Sequence, residues 1–101
     1  MQLTTEEKLV ILMEECGEVI VAASKCLRFG YHRQQENYGV NDDVLASEIG
    51  DVLGMIDSLP LNKDLIATFR KNKLAKAEKA KELYGVKVAE SFSADVSGQS
   101  G

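Results

Sequence analysis

The segment LMEECGEVIVAA, from Leu12 to Ala23, decides the fold, because it places three glutamates inside an apolar stretch of helix-forming residues. Glu14, Glu15 and Glu18 interrupt a run that is otherwise typical of a buried helix. An ionised carboxylate is costly to bury unless a cation or a hydrogen-bond donor compensates its charge. The segment therefore predicts a buried helix whose glutamates have a binding partner.

A first helix begins after Thr4 and contains this whole segment. Thr4 and Glu7 have the T-x-x-E spacing of a capping box, in which each side chain accepts a hydrogen bond from the other residue's backbone N–H. The apolar periodicity continues to Phe29, and Gly30 is the expected end of the helix.

Two further helices follow a polar connection. The second helix is expected to have Asn41 or Asp42 as its N-cap and to end before Pro60. The third helix is expected to have Asn62 as its N-cap and to end at Gly85. No strand pattern longer than VKVA is present.

Length and composition indicate one all-α domain. The chain has 101 residues with one proline and no tryptophan, and its apolar fraction is that of a globular protein. We expect a helical bundle of about three main helices per chain over residues 1–88, completed by dimerisation. The small, polar end of the sequence predicts a flexible tail at residues 89–101.

The N-terminus and the cysteines favour a cytoplasmic protein. The first residues lack the basic region and apolar core of a signal peptide, and charges interrupt every apolar run before it could span a membrane. Cys16 and Cys26 lie ten residues apart on one predicted helix. Their separation would be about 15 Å, which is too long for a disulfide. Free thiols fit a reducing compartment.

The charge distribution argues against a protein that binds nucleic acid polymers. The net charge is −4, whereas such proteins are usually basic. Residues 1–60 carry eleven acids and four bases, while residues 61–90 carry eight bases and four acids. Such a division suits a ligand that contains both a metal ion and phosphates, and it is equally typical of neighbouring helices with complementary surfaces.

The first helix is apolar on nearly all sides. Advancing 100° per residue gives one apolar stripe, predicted to face the core: Leu9, Leu12, Met13, Cys16, Val19, Ile20, Ala23 and Leu27. The opposite side also holds apolar residues, which are Val10, Ile11, Val21 and Ala22. A helix of this kind is buried on most sides, and in so short a chain that burial predicts a second subunit.

Glu48 is a carboxylate on an apolar face of the second helix, as the glutamates of the first helix are. It projects from the middle of the predicted core face, with Asp51 one turn further at the edge of that face. The pairs Glu15 with Glu18 and Glu48 with Asp51 both have i, i+3 spacing, so each pair lies on one side of its helix. Four such carboxylates predict a site for a hard divalent cation, Mg²⁺ or Mn²⁺. The alternative is that they pair with lysines or arginines of neighbouring helices.

The third helix offers cations for phosphates. Asn72, Lys73 and Lys76 fall on its weak apolar side, and Arg70 lies farther round the helix. Lys73 and Lys76 are the preferred phosphate contacts, with Asn72 as a polar contact. The alternative is a solvated, lysine-rich helix.

The acidic motifs EECGE and EIGD resemble the E-E-x-x-E…E-x-x-D signature of the MazG-like all-α nucleoside triphosphate pyrophosphohydrolases. This family includes the MazG, dimeric dUTPase, dCTP pyrophosphatase and phosphoribosyl-ATP pyrophosphohydrolase groups. The likeness extends over residues 9–76 and is greatest to small single-domain members from phages and bacteria. It implies a helical bundle that forms a homodimer or a homotetramer.

The resemblance also implies a reaction. It is hydrolysis of a (deoxy)nucleoside triphosphate between the α and β phosphates, with Mg²⁺ bound by four carboxylates, Glu15, Glu18, Glu48 and Asp51. Glu14, the first acid of the motif, would orient the site or the attacking water. His32 and Arg33 are candidates for contact with base or phosphate, although a lone loop histidine is more often exposed.

The sequence departs from the family in two places. The gap between Glu18 and Glu48 is longer than in many members, so the connection is a candidate specificity element. The basic positions of the last helix align only loosely with RKNKLAK. Tyr31, Tyr38 and Asn41 either recognise the base or simply pack and cap, and the second role is preferred.

Three other functions are open to an acidic helical chain. A di-iron bundle normally needs Glu-x-x-His pairs on two helices, and this chain has one histidine, in a predicted loop, which argues strongly against such a site. A non-catalytic dimerisation or regulatory module would use the acids in salt bridges and would keep its stability after chelation. An inactive family member would retain the motif without the activity.

Overall fold

The computed structural model describes the backbone of residues 2–100 and the side chains of residues 2–83. Three helices, α1 (Thr5–Phe29), α2 (Asn41–Ser58) and α3 (Lys63–Ser100), make up most of the chain. Between α1 and α2 lie two short strands, β1 (Gln34–Gln35) and β2 (Gly39–Val40). The predicted all-α class with three main helices is confirmed.

The ends of α1 follow the sequence signals. The Thr4 hydroxyl accepts a hydrogen bond from the Glu7 N–H, and the Glu7 carboxylate accepts one from the Thr4 N–H. These bonds to Thr4 lower the pKa of Glu7. At the other end, Gly30 has φ 107° and its N–H donates to the carbonyl of Cys26. Only glycine adopts that backbone conformation without strain.

The connection between α1 and α2 forms a small hairpin that the sequence pattern did not predict. Gln34 pairs with Val40 and Gln35 with Gly39 in an antiparallel ladder, and a 3₁₀ turn at Glu36–Tyr38 joins the strands. Polar residues fill the strand positions, so no apolar alternation marks them. Gly39 has φ 108°, which permits the turn to close.

The prediction that Asn41 or Asp42 caps α2 is wrong. The N-cap is Val40, and no side chain caps this helix. Instead, the fully buried Asn41 donates from Nδ2 to the carbonyl of Gly30 at 2.7 Å. The backbone N–H of Asn41 donates to the carbonyl of Arg33. Carbonyl groups of the connection therefore accept hydrogen bonds from the first N–H groups of α2. The Asn41 side chain fastens the start of α2 to the end of α1.

Two lysines bind the carbonyls at the end of α2. Lys8, from the first turns of α1, donates from Nζ to the carbonyl of Ser58. Lys63, at the start of α3, donates to the carbonyls of Ile56 and Leu59. The last carbonyls of a helix carry partial negative charge, so cations stabilise this end. The three helices are joined here.

The start of α3 agrees with the prediction and its end does not. The Asn62 side chain accepts a hydrogen bond from the N–H of Leu65, as expected for an N-cap. The helix passes through Gly85 and continues to Ser100, so the predicted end at Gly85 is wrong. A glycine costs a helix only about 1 kcal/mol relative to alanine and need not end it. The side chains of the predicted tail lie outside the described residues, and the division at residues 88 and 89 stays a prediction.

The face of α1 that packs against α2 overlaps only in part with the predicted stripe. The buried and half-buried side chains of this face include Ile11, Leu12, Glu15, Val19, Ala22 and Cys26. Five members of the predicted core stripe are exposed instead: Leu9, Met13, Cys16, Ile20 and Leu27. Because α1 is apolar all round, its periodicity cannot distinguish the side that faces α2 from the side that faces outward.

The described part of the chain has little interior. Ala22 and Leu59 are the only fully buried apolar side chains among residues 2–83. The radius of gyration is 16.6 Å, compared with about 13 Å for a compact domain of this length. None of the described helices combines the length and apolar character needed to cross a bilayer.

Replacing Asn41 with alanine should destabilise the fold by about 1–2 kcal/mol, because the carbonyl of Gly30 loses its donor in a partly buried position. Urea unfolding monitored by circular dichroism measures this change. The matched control is Asn37→Ala, at an exposed position in the 3₁₀ turn, which should change stability by less than about 0.5 kcal/mol. Equal stability of the two variants would contradict the fastening role of Asn41.

Candidate metal centre

Three carboxylates meet where α1 crosses α2. Glu15 lies on the α1 face that packs against α2, and Glu48 lies on the α2 face that packs against α1, so both are half-buried. Asp51 is one turn beyond Glu48 and is exposed. One oxygen of each carboxylate lies within 4.8 Å of the other two. This group of Glu15, Glu48 and Asp51 is referred to below as the acidic triad.

The surroundings of the acidic triad are unfavourable to the charge of Glu15. Partial burial raises the pKa of Glu15, and the negative charges of Asp51, Glu48, Glu18 and Glu14 raise it further, in that order of influence. Within residues 2–83, the single ion pair is between His32 and Asp42, away from the triad. The alternative in which lysines or arginines neutralise these acids therefore does not occur within the described part of the chain.

A divalent cation fits the donor set. All three donors are carboxylate oxygens, which hard cations prefer. Oxygen separations of up to 4.8 Å are compatible with three ligands around one divalent cation, since each ligand oxygen lies about 2.0–2.6 Å from such an ion. Glu15, Glu48 and Asp51 are thus the residues able to hold a metal.

The structure brings together three of the four predicted metal ligands. Glu18 lies outside the triad and is exposed, but it is close enough for its charge to raise the pKa of Glu15. Glu14 is also exposed and has the weakest of these effects on Glu15. Both remain beside the triad as carboxylates that a metal shell or a water could use.

The predicted cations of α3 are exposed. Lys76 places its Nζ 4.4 Å from the centre of the Phe69 ring, and Arg70 lines a groove between α2 and α3. Lys73 and Asn72 are exposed as well. No described hydrogen bond or ion pair among residues 2–83 connects α3 to the acidic triad.

His32 and Arg33 lie in the connection after α1. The Nδ1 atom of His32 is 3.0 Å from the Asp42 carboxylate, and the ring contacts Tyr31 edge-on. Arg33 is exposed, and its backbone carbonyl accepts the hydrogen bond from Asn41. Among the residues described, neither side chain belongs to the acidic triad.

Tyr38 and Lys25 border the site, and Lys25 was not among the residues predicted for it. The ammonium group of Lys25 lies 3.5 Å from the centre of the Tyr38 ring. Burial raises the pKa of Tyr38, and the charges of Glu48, Cys26 and Glu18 raise it further. The sequence contained a signal for Lys25, because it follows Glu18 by seven residues and so lies on the same side of α1.

Cys26 is not suited to be a nucleophile. Burial raises the pKa of its thiol, and the charge of Asp42 raises it further. The thiolate, which is the reactive form, is therefore disfavoured near neutral pH. Both Cys16 and Cys26 are free thiols.

Comparison of the chain with protein-family models, with curated proteins and with solved structures found no match. The function must therefore be argued from the chemistry of the site.

Replacing Glu15 with glutamine should stabilise the metal-free protein at pH 7, while weakening its binding of divalent cations. The raised pKa means that ionised Glu15 opposes folding above that pKa. The difference from wild type should disappear as the pH falls below the ordinary value of 4.5, where both folded and unfolded chains carry the proton. Thermal melts in EDTA across this pH range measure the effect.

The matched control for this experiment is Glu78→Gln, at an exposed position on α3. It should leave both the melting temperature in EDTA and the metal-induced shift unchanged. A Glu15→Gln protein that is less stable than wild type in EDTA would show that the carboxylate has a donor or cation of its own.

Proposed function

We propose that this chain is a Mg²⁺-dependent nucleoside triphosphate pyrophosphohydrolase. It would hydrolyse a (deoxy)nucleoside triphosphate between the α and β phosphates, giving the monophosphate and pyrophosphate. The acidic triad carries the proposal, because three carboxylates from two helices meet without a basic partner in the described chain. Sites that bind Mg²⁺ through carboxylates commonly share the ion with substrate phosphates.

Each residue of the site would have its own role in the hydrolysis. A bound divalent cation would neutralise phosphate oxygens and lower the pKa of a water molecule. Glu15, Glu48 and Asp51 would hold the ion, with Glu18 as the fourth candidate ligand. Glu14 and the free edge of Glu18 would orient the attacking water and accept its proton. No side-chain nucleophile is needed.

A second subunit is part of this proposal. Leu9, Met13, Ile20 and Leu27 form an exposed apolar stripe along α1, in which Met13 is 74% and Ile20 is 70% exposed. Apolar side chains exposed to this extent along one helix mark an interaction surface. We place the partner of a homodimer on this stripe. The exposed Leu65, Phe69, Leu74 and Leu83 of α3 provide a surface for a homotetramer.

The second subunit would also contribute residues to substrate binding. The predicted phosphate contacts Lys73 and Lys76 lie on α3, away from the described contacts of the acidic triad. Association through α1 and α3 is a route by which lysines of one subunit reach the triad of another. The free thiols of Cys16 and Cys26 fit the cytoplasm as the site of this activity.

A non-catalytic dimerisation or regulatory module is the alternative function. The exposed apolar stripe on α1 favours it, because such a surface would serve a structural dimer equally well. The two functions differ in their response to metal. Divalent cations should raise the melting temperature of the enzyme by neutralising the triad, whereas they should leave the structural module unchanged.

The wild-type protein should release pyrophosphate and monophosphate from at least one canonical or modified nucleoside triphosphate when Mg²⁺ is present. The Glu48→Gln variant should lose at least about 100-fold in rate, because it removes a central charge of the triad. Coupled pyrophosphate detection with chromatography of the nucleotide products measures this. Glu78→Gln serves as the control and should keep the wild-type rate. Release of single phosphates, or equal rates in Glu48→Gln and wild type, would refute the proposal.

The Ile20→Glu variant should be monomeric, because it places a charge in the centre of the apolar stripe. Burial of an isoleucine side chain contributes roughly 2 kcal/mol, so its loss and the burial of a carboxylate should weaken association by more than about 100-fold. Light scattering coupled to size exclusion measures the mass. Val21→Glu, which is also exposed and is not three or four residues from any member of the stripe, should leave the dimer intact. A monomeric wild-type protein would exclude the dimer.

A further inference from the structure

An open groove of about 550 Å³ adjoins the acidic triad. It lies between the hairpin and α2, and its lining includes Tyr38, Val40, Val44 and Glu48. Glu48 belongs to both the groove and the triad. A molecule bound through its phosphates at the triad would therefore have this groove within reach for its remaining part. The volume is in the range of small-molecule sites in proteins.

The lining of the groove combines an apolar floor with a polar rim. Val40, Val44 and the ring of Tyr38 supply apolar contact, while Asn37, Asp43 and Ser47 are exposed at the rim. Asp43 and Ser47 are four residues apart on α2, so they are neighbours on its surface. Within residues 2–83, the Asp43 carboxylate has no hydrogen bond or ion pair. The Asp43 carboxylate can therefore accept a hydrogen bond from a molecule that packs against the apolar lining of the groove.

Two packing features hold the turn that contains Tyr38 and Gly39 in place beside the groove. The ammonium group of Lys25 lies 3.5 Å from the centre of its ring, a distance typical of a cation–π contact. The adjacent Gly39 has φ 108°, and a Cβ atom at this position would come within 3.2 Å of Cγ2 of Val44. The turn is therefore packed closely against α2, and Tyr38 is half-buried beside the groove.

We propose that this groove binds the base of the nucleotide and that Asp43 makes the enzyme prefer bases with an exocyclic amino group. This inference rests on the nucleotide chemistry proposed above. The base would pack against Tyr38 and Val44, and its amino group would donate to the Asp43 carboxylate. Uracil and thymine present a carbonyl oxygen in place of the cytosine amino group. A carboxylate repels that oxygen, because both groups only accept hydrogen bonds.

The sharpest comparison is between dCTP and dUTP, which share sugar, phosphates and ring size. Wild-type protein should have the larger kcat/KM for dCTP. In Asp43→Asn, the ratio of kcat/KM for dCTP to that for dUTP should fall by roughly 10-fold or more, since an amide can donate to the uracil carbonyl and no longer repels it. A general loss of structure would lower both rates and leave the ratio unchanged.

One further variant and two controls complete the kinetic experiment. Tyr38→Leu should raise KM for every nucleotide several-fold, because stacking on the ring is lost whatever the base. The controls are Asp57→Asn, on α2 outside the groove, and Tyr31→Leu, in the same connection but outside the groove. Both should keep the wild-type ratio and KM. A dCTP to dUTP ratio that Asp43→Asn leaves unchanged would overturn the inference while the proposed hydrolysis stands.

A binding measurement separates the inference from the hydrolysis. Methyl NMR spectra of the full chain, titrated with dCMP and then with dUMP in Mg²⁺, should show larger shifts of the Val40 and Val44 signals with dCMP. Such shifts without any pyrophosphate release would support the groove and refute the enzyme. Val40 and Val44 signals that neither nucleotide moves would overturn the inference, whatever the enzyme assay shows.

Discussion

The repulsion among Glu15, Glu48 and Asp51 is the constraint on which the rest of the structure depends. These carboxylates lie where α1 and α2 pack together, a place that apolar side chains normally occupy. Partial burial and neighbouring charge both raise the pKa of Glu15, so its ionised carboxylate opposes folding. A chain that buries only Ala22 and Leu59 fully, among its described apolar residues, has little stability with which to offset that cost.

The elements around the triad position it and leave it accessible. Asn41 fastens the start of α2 to the end of α1, and Lys8 and Lys63 bind the carbonyls at the far end of α2. The two helices are thus fixed at both ends of the segment that carries Glu48. The hairpin that Asn41 anchors forms one side of the groove beside Glu48, so the same hydrogen bond supports both the helix packing and the proposed base site.

Local signals in the sequence predicted the helices and the acidic residues well. Thr4, Gly30 and Asn62 act through their immediate neighbours, so their roles can be inferred from short patterns. Glu48 was recognisable because it lies in the middle of an apolar arc. Asn41 was misassigned because its partner, the carbonyl of Gly30, is eleven residues away. The face of α1 was misassigned because apolar residues surround that helix, and the hairpin was missed because its strands are polar.

The cost of the acidic triad and the exposed apolar stripe on α1 have a common consequence. Both are features that the isolated, metal-free chain would be more stable without, and both are relieved by binding. A cation that neutralised Glu15, Glu48 and Asp51 would strengthen the contact between α1 and α2, and α1 also carries the stripe formed by Leu9, Met13, Ile20 and Leu27. If the cation and the second subunit both bind the folded chain and not the unfolded one, each should raise the folded fraction that is available to the other. The carboxylates of the acidic triad would thus couple the folding of this small chain to its proposed ligands.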